Sequence, residues 1–261
     1  MKVLAIKRAE QFSPNSIEKD EAILTSVVVR LREKGHEVVV QRETDLSLDL
    51  QSFQYILTMG RLPETLCSLK KVVGSKILNR PEGVERCTRV CIESIMDRMS
   101  IPMPPSEGDD GFWLKRGDMA AQTRGDVVYV ADKKTLVEKV KEFQDKGITQ
   151  YVVSAHVKGD LVKFYGVRNT GFFRLFYPTD DGISKFGDER YNGMAQHYRF
   201  DKEGLQRKAD LLAEAVGVDI YGGDCIVKAD GTYCIIDFND WPSFSRCREE
   251  AADAIVTLVD N

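Results

Sequence analysis

No apolar run in this 261-residue sequence approaches membrane-spanning length, which takes about 20 residues. The opening Met1-Lys2-Val3-Leu4 lacks the apolar centre of a secretory leader. The expectation is a cytoplasmic protein with no membrane partner. An excess of charge is also missing: the net value is −4, which leaves no electrostatic footprint for nucleic acid. None of the six cysteines stands in a Cys-x-x-Cys pair, and the three histidines, His36, His156 and His197, are scattered. Cys87 and Cys91, four apart on what reads as one helix face, have no histidine nearby. Reduced, mostly buried thiols are therefore expected rather than a zinc site. No Gly-x-Gly-x-x-Gly follows the first apolar strand, so dinucleotide binding is unsupported. Internal repeats, low-complexity segments and any Ser/His/Asp or Cys/His nucleophile arrangement are absent as well.

What is present is ordinary globular material, 43% apolar and 30% charged, long enough for one large domain or a tight assembly of small ones. Residues 1–6 form an apolar strand. Ile23, Leu24, Val27, Val28 and Leu31 recur at helical spacing over residues 17–34, and Gly35 ends that helix. Strands follow at residues 36–41 and 53–59. Strand, helix, strand, strand predicts a small α/β unit with a parallel sheet. Residues 77–81 end it, and residues 82–99 read as one helix stopped by Ile101-Pro102-Met103-Pro104-Pro105. Further strands are expected at residues 111–115, 127–130, 150–157 and 172–176, with helices at 132–146, 201–215 and 249–259. Residues 179–198 are polar, carry three glycines and read as a mobile loop.

The richest stretch runs from Tyr221 to Ser245. Two runs of β-formers flank Asp230-Gly231, a strong hairpin signal. With those two residues as the loop, Ala229 faces Thr232 and counting outward sets Asp224 opposite Asp237. Asn239, two residues on, shares that face. Facing carboxylates repel, and a hard divalent cation reverses the sign, with carboxylate and amide oxygens suiting Mg2+ beside phosphates. The other reading is a hairpin end with two solvated acids. A lysine such as Lys115, protruding from an apolar strand, is costly to bury without an anion.

The hairpin resembles the metal-binding signature of the ATP-grasp superfamily, in particular its glutathione synthetase-like and ribosomal-protein-modifying carboxylate–amine ligases. That resemblance covers roughly residues 77–261 and implies Asp224, Asp237 and Asn239 as Mg2+ ligands, with Asp240-Trp241-Pro242-Ser243 as the loop behind them. Asn79-Arg80-Pro81, a helix with a basic residue, and Ile101-Pro102 resemble the family's entry segment, which places Arg89 on the nucleotide phosphates. Lys115 stands where a second nucleotide lysine is expected, and residues 116–126 stand in for the glycine-rich loop with only two glycines. The strand ending Ser154-Ala155-His156-Val157 implies the adenine-contacting hinge, with Ser154-Ala155 where the family has Gln-Glu. Gly159-x-x-x-Lys163-x-Tyr165 implies a phosphate contact through Lys163, and Arg174 is expected to reach the acyl-phosphate. Asn192 is expected to approach the metal–phosphate region, and residues 179–198 to form an acceptor lid.

The implied fold is α/β (α+β): a parallel unit at residues 1–80, a connecting helix at 81–104, a small ATP-clamping subdomain at 105–156 and a C-terminal subdomain at 157–261, with nucleotide held between the last two. The implied activity is an ATP- and Mg2+-dependent ligase joining a small-molecule or peptide carboxylate to an amine or thiol, with release of ADP and phosphate. Lys163 and Arg174 are its implied catalytic cations. A small-molecule kinase of the same fold and a nucleotide-binding regulator without turnover stay open, as does self-association.

Overall fold

The structure, a computed structural model, describes residues 1–13, 16–118, 123–181 and 191–260. Three sheets organise them. The first is parallel, in the order β2-β1-β3-β4, built from β1 (Lys2–Lys7), β2 (Glu37–Arg42), β3 (Tyr55–Thr58) and β4 (Lys76–Leu78). Its central strands β1 and β3 are apolar on both faces because both are covered: Val3 and Ala5 pack toward α1 (Ile17–Glu33), and Leu4, Ile6 and Ile56 pack with Leu69 of α2 (Pro63–Lys70). The helical spacing read in α1 is the buried stripe itself, and Gly35 ends it at φ 82°. Helix α2 was not anticipated; Pro63 at its first position is its one clear sequence marker.

The expected single helix over residues 82–99 is two. Helix α3 (Pro81–Arg86) stops at Cys87, and α4 (Arg89–Arg98) restarts behind Thr88, whose hydroxyl accepts from the Cys91 N–H at 3.4 Å. Cys87 and Cys91 therefore do not share a helix face. A capping threonine inside a helical pattern is the signal that reading overlooked. Gly83 shows why α3 sits where it does: a Cβ there would lie 2.2 Å from the Gly217 carbonyl oxygen.

The second sheet is small and antiparallel, in the order β6-β5-β7, from β5 (Phe112–Arg116), β6 (Val127–Val130) and β7 (Tyr151–Ala155), backed by α5 (Lys133–Asp145). The third, β11-β10-β8-β9, is antiparallel, from β8 (Asp160–Val167), β9 (Phe172–Phe176), β10 (Ile220–Val227) and β11 (Tyr233–Asp240). One face of it is buried by α4 and by α6 (Lys202–Val216) through Val162, Phe164, Tyr221, Cys225, Ile235 and Phe238. Asp201 caps α6 and Gly217 closes it in the left-handed region, with Leu205, Ala209, Leu212 and Ala213 buried as the sequence indicates. Helix α7 (Arg248–Asp260) lies against α1. Trp241, Phe244 and α7 share a core with α1 and the parallel sheet, so the first and third sheets meet through a common interior.

Among the described residues no helix is long and apolar enough to cross a membrane. Met119 to Gln122 of the expected phosphate-capping loop, and residues 182–190 of the expected lid, lie outside the described residues.

Candidate functional site

The hairpin pairs Asp224 with Asp237, and Gly222 with Asn239. The route to that register differs from the expected one. The Lys228 N–H donates to the Thr232 carbonyl, so the loop is three residues, Ala229 to Gly231, with Gly231 at φ 81°, not two. Left alone, that extra residue would slip the whole ladder by one. A bulge between the pairs Cys225–Ile235 and Asp224–Asp237 takes up Ile236 and restores the register. The bulge also decides the face. Ile235 and Phe238, three apart, both point into the helix-covered core. In a regular strand Asp237 would follow Ile235 onto that face; past the bulge it joins Asp224 on the other.

Lys163 of β8 stands opposite Asp224 across the next ladder, and its Nζ donates to both oxygens of that carboxylate at 2.8 and 3.1 Å. Arg89, the first residue of α4, brings its Nε to 3.7 Å from Asp237 while an Nη donates to the Arg116 carbonyl at 3.0 Å. That Nε is buried without a hydrogen-bond partner among the described residues. Lys115 reaches across from the small sheet, and its Nζ donates to the Ile236 carbonyl at 2.9 Å. The bulge thus presents the acceptor that draws the two sheets together. Asn239 donates to Asp237 at 3.1 Å.

The electrostatics follow. Burial pushes the Asp237 pKa up, but Arg89, Lys115, the Asn239 N–H and Lys163 together outweigh it and hold the carboxyl below its ordinary value. Burial dominates for Lys115 and lowers it despite Asp237. Glu93, one turn along α4 from Arg89, is raised by burial against the pull of Lys115 and Arg89. Glu93 was missed in the sequence; a lone acid on a helix carries no signal until α4 is known to face Lys115.

Between the two antiparallel sheets runs a slot lined by Arg89, Glu93 and Asp237 at its charged end and by Ile92, Met96, Pro104, Ser154 and Phe238 elsewhere. Its free volume is about 20 Å³, roughly that of one water, so a nucleotide enters only if the sheets part. Trp113, two residues before Lys115 and so on its face of β5, pairs with Ser154 and Tyr129. Its indole N–H donates to His156 Nδ1 at 3.1 Å, and burial lowers the His156 pKa. In the hinge the Ala155 and His156 N–H groups are already given to the Pro105 and Gly111 carbonyls; Val157 follows the strand. Tyr191 packs on Tyr129 at 4.3 Å between ring centres. Beside it, the Asn192 side-chain oxygen is buried without a hydrogen-bond partner among the described residues.

The structure therefore gathers Asp224, Asp237, Asn239, Lys163, Arg89 and Lys115 about the hairpin bulge. It does not gather Arg174, which pairs with Glu250 of α7 through Nε at 2.8 Å and lies over the Phe172 ring. Among the described residues no group of three or more His, Cys, Asp or Glu could hold a metal; the hairpin's donor set is two carboxylates and an amide.

Behind the hairpin lies a second charged cluster that the sequence did not disclose. Arg8, at the end of β1, donates to Asp20 at 3.0 Å and to the Trp241 carbonyl at 3.0 Å. Arg61 donates to the Asp240 carboxylate. Glu43 accepts from the Ala9, Arg61 and Leu62 N–H groups at 2.6, 2.7 and 2.7 Å. This cluster ties the parallel sheet to the residues directly after Asn239.

No protein-family model matches the chain, and no curated protein matches it by sequence. Solved structures do. The D-alanyl-alanine synthetase A of Vibrio cholerae aligns over 100% of this chain and 98% of its own with a TM-score of 0.72 at 12% identity. A RimK domain ATP-grasp protein of Sphaerobacter thermophilus aligns over the full length of both chains with a TM-score of 0.62 at 15% identity. The ATP-grasp ligase PsnB, solved with a minimal precursor, covers 98% of each chain with a TM-score of 0.63 at 13% identity. The chain has the ATP-grasp fold.

Proposed function

We propose that this ATP-grasp chain is an ADP-forming ligase that joins a carboxylate to an amine. The observation that carries the reading is the pairing of Asp224 with Asp237 on the sheet face away from the helix-covered core, ringed by cations from three separate elements: Lys163 on β8, Arg89 on α4 and Lys115 on β5. Similarity in fold to D-alanyl-alanine synthetase and to PsnB supports the reaction class.

Asp224, Asp237 and Asn239 form a hard-oxygen set that fits Mg2+. The ion would supply charge neutralisation at the β- and γ-phosphates of ATP. The protein's own groups do the rest. Lys115, hydrogen-bonded to the Ile236 carbonyl, and Arg89, beside Asp237, both face the hairpin acids, and a triphosphate in the slot would take up both cations as Asp237 turns to the metal. Met96, Pro104 and Phe238 give the base an apolar seat. Lys163 is bound to the very carboxylate that would face the metal, so nucleotide binding transfers it from Asp224 to a phosphate oxygen. A substrate carboxylate oxygen then attacks the γ-phosphorus, the bond to the β-phosphate oxygen breaks and ADP leaves. The amine attacks the resulting acyl-phosphate carbon and phosphate departs with the C–O electron pair. Lys163 and Arg89 lie where negative charge spreads in the first step.

Hydroxylamine trapping tests this. With ATP, Mg2+ and a panel of carboxylic acids, the ligase forms a hydroxamate in step with ADP. Substrate-dependent ADP release without hydroxamate indicates phosphoryl transfer to a hydroxyl, and stabilisation by ATP without any ADP indicates a binding protein; either result ends the ligase reading.

A further inference from the structure

We propose that Arg8 and Arg61, from the parallel sheet, are positioning residues for the hairpin: they hold the chain in the turn directly after Asn239, and the strength with which the hairpin takes up a divalent cation depends on them. This dependence presupposes that Asp224, Asp237 and Asn239 are the metal ligands, as proposed above. The cause lies in the backbone. Strand β11 ends at Asp240, and Trp241 turns away at φ 35°, in the left-handed region; Phe244, three residues on, does so again at φ 47°. Bulky residues hold that conformation only where their surroundings impose it. Here both rings are wholly buried, in the core shared with α1 and the parallel sheet.

Burial fixes the rings, and the two arginines fix the peptides. The Trp241 carbonyl accepts from Arg8 at 3.0 Å, and the Asp240 carbonyl accepts from Arg61 at 3.5 Å. Arg61 also donates to the Asp240 carboxylate, whose second oxygen lies 3.8 Å from Arg8. A planar guanidinium suits this task, because one side chain can serve a carboxylate and a carbonyl together. The arginines are themselves fastened. Arg8 donates to Asp20 and to the Met59 carbonyl. Buried Glu43 accepts from the N–H groups of Ala9, beside Arg8, and of Arg61. Arg8, Glu43 and Arg61 stand just past β1, β2 and β3, so three neighbouring strands bear on two consecutive peptides of the hairpin's exit. Asn239 is the residue before those peptides. Its amide donates to Asp237 at 3.1 Å, and the last rung of the strand is the Trp241 N–H on the Ile220 carbonyl at 2.9 Å. A chain free to leave the left-handed turn would swing that rung, and Asn239 with it, away from Asp237. Groups that orient metal ligands govern affinity in this way, by about tenfold or more.

The test needs no turnover. Calorimetry on the full chain with a non-hydrolysable ATP analogue, once with Mg2+ and once with EDTA, gives the factor by which the metal tightens nucleotide binding. Arg61→Lys keeps the charge but cannot hold carboxylate and carbonyl together, and Glu43→Gln loosens both arginines. Each should cut the factor about tenfold while the affinity in EDTA stays within about twofold of the parent. Ile56→Val, a core change elsewhere in the parallel sheet, controls for lost stability and should keep the parent's factor. Thermal melts fix a temperature at which all the variants are folded. An unchanged factor in both Arg61→Lys and Glu43→Gln, an equal loss of affinity in EDTA, or an equal loss in Ile56→Val overturns the proposal. A parent indifferent to Mg2+ overturns it as well, together with the metal reading beneath it, so the parent alone tells the two failures apart. The ligase reaction is judged separately, by the hydroxamate.

Discussion

Asp240→Asn should destabilise the protein severely although residue 240 is not proposed to touch ATP or metal. Its carboxylate is 1% exposed, and it is the only acid in contact with the 15%-exposed Arg61 guanidinium among the described residues. Burial pulls the Arg61 pKa down, yet Asp240, with Cys87 and Asp20, more than restores it. Removing one partner of a buried pair costs about 3–5 kcal/mol because the other is left as an uncompensated charge. Arg61 is not fully enclosed and Arg8 keeps Asp20, which places the loss near the low end, ~3 kcal/mol. At an unfolding entropy of about 2.1 cal/mol/K per residue, a chain of 261 residues falls roughly 2 °C per kcal/mol, or about 6 °C here. Circular dichroism melts of the parent, Asp240→Asn, Arg61→Met and the double variant measure it. The double variant should lose clearly less than the sum of the singles, since no buried charge is then left alone. A single variant melting within about 1 °C of the parent, or strictly additive losses, would refute the reasoning.

Three other outcomes follow from the same geometry. Asp224→Asn and Asp237→Asn should each reduce ADP formation by about 10²-fold or more, measured by coupled ADP assay. Lys115→Met should abolish ATP-induced stabilisation, because it removes the cation that reaches the hairpin from the small sheet; thermal melts with and without ATP report it. Finally, His156 has its pKa lowered by burial, so the unfolded chain binds its proton more readily. Its contribution is full above the unfolded value of about 6.5 and is lost as pH falls through the window between that value and the lower folded one. Urea titrations across that window should show stability falling with acid in the parent and a flatter profile in His156→Gln.

How far the sequence disclosed all this depends on what each residue's signal was made of. Periodic burial was plain: α1, α6 and β9 stand where apolar spacing puts them, because those patterns are direct consequences of one covered face. The Asp224–Asp237 pairing was reached through two offsetting departures, a loop one residue longer and a bulge one residue deep. Neither is visible in a string of β-formers, since Ile236 looks like any strand residue. Thr88 could have divided the 82–99 helix, being a capping residue followed by a helical run. Arg8, Asp20, Glu43, Arg61 and Asp240 were not legible at all. Each is an ordinary charged residue at an element's end, and only the folded chain brings them to one place. Arg174, expected from the resemblance to reach the acyl-phosphate, lies beside α7 and pairs there with Glu250, a neighbour its strand could not announce.

Asn79 is wholly buried at the end of β4, and its amide accepts from the Asp219 and Ile220 N–H groups at 2.8 Å and donates to the Ile220 carbonyl at 2.7 Å. A single side chain thereby takes the place of a backbone rung between the parallel sheet and β10. Cutting the gene just after this residue would strip three hydrogen bonds and the lining of Trp241 and Phe244 from what remained. The part from residue 80 onward should accordingly be insoluble when made alone, and the amino-terminal eighty residues are better regarded as part of its foundation than as an appendage.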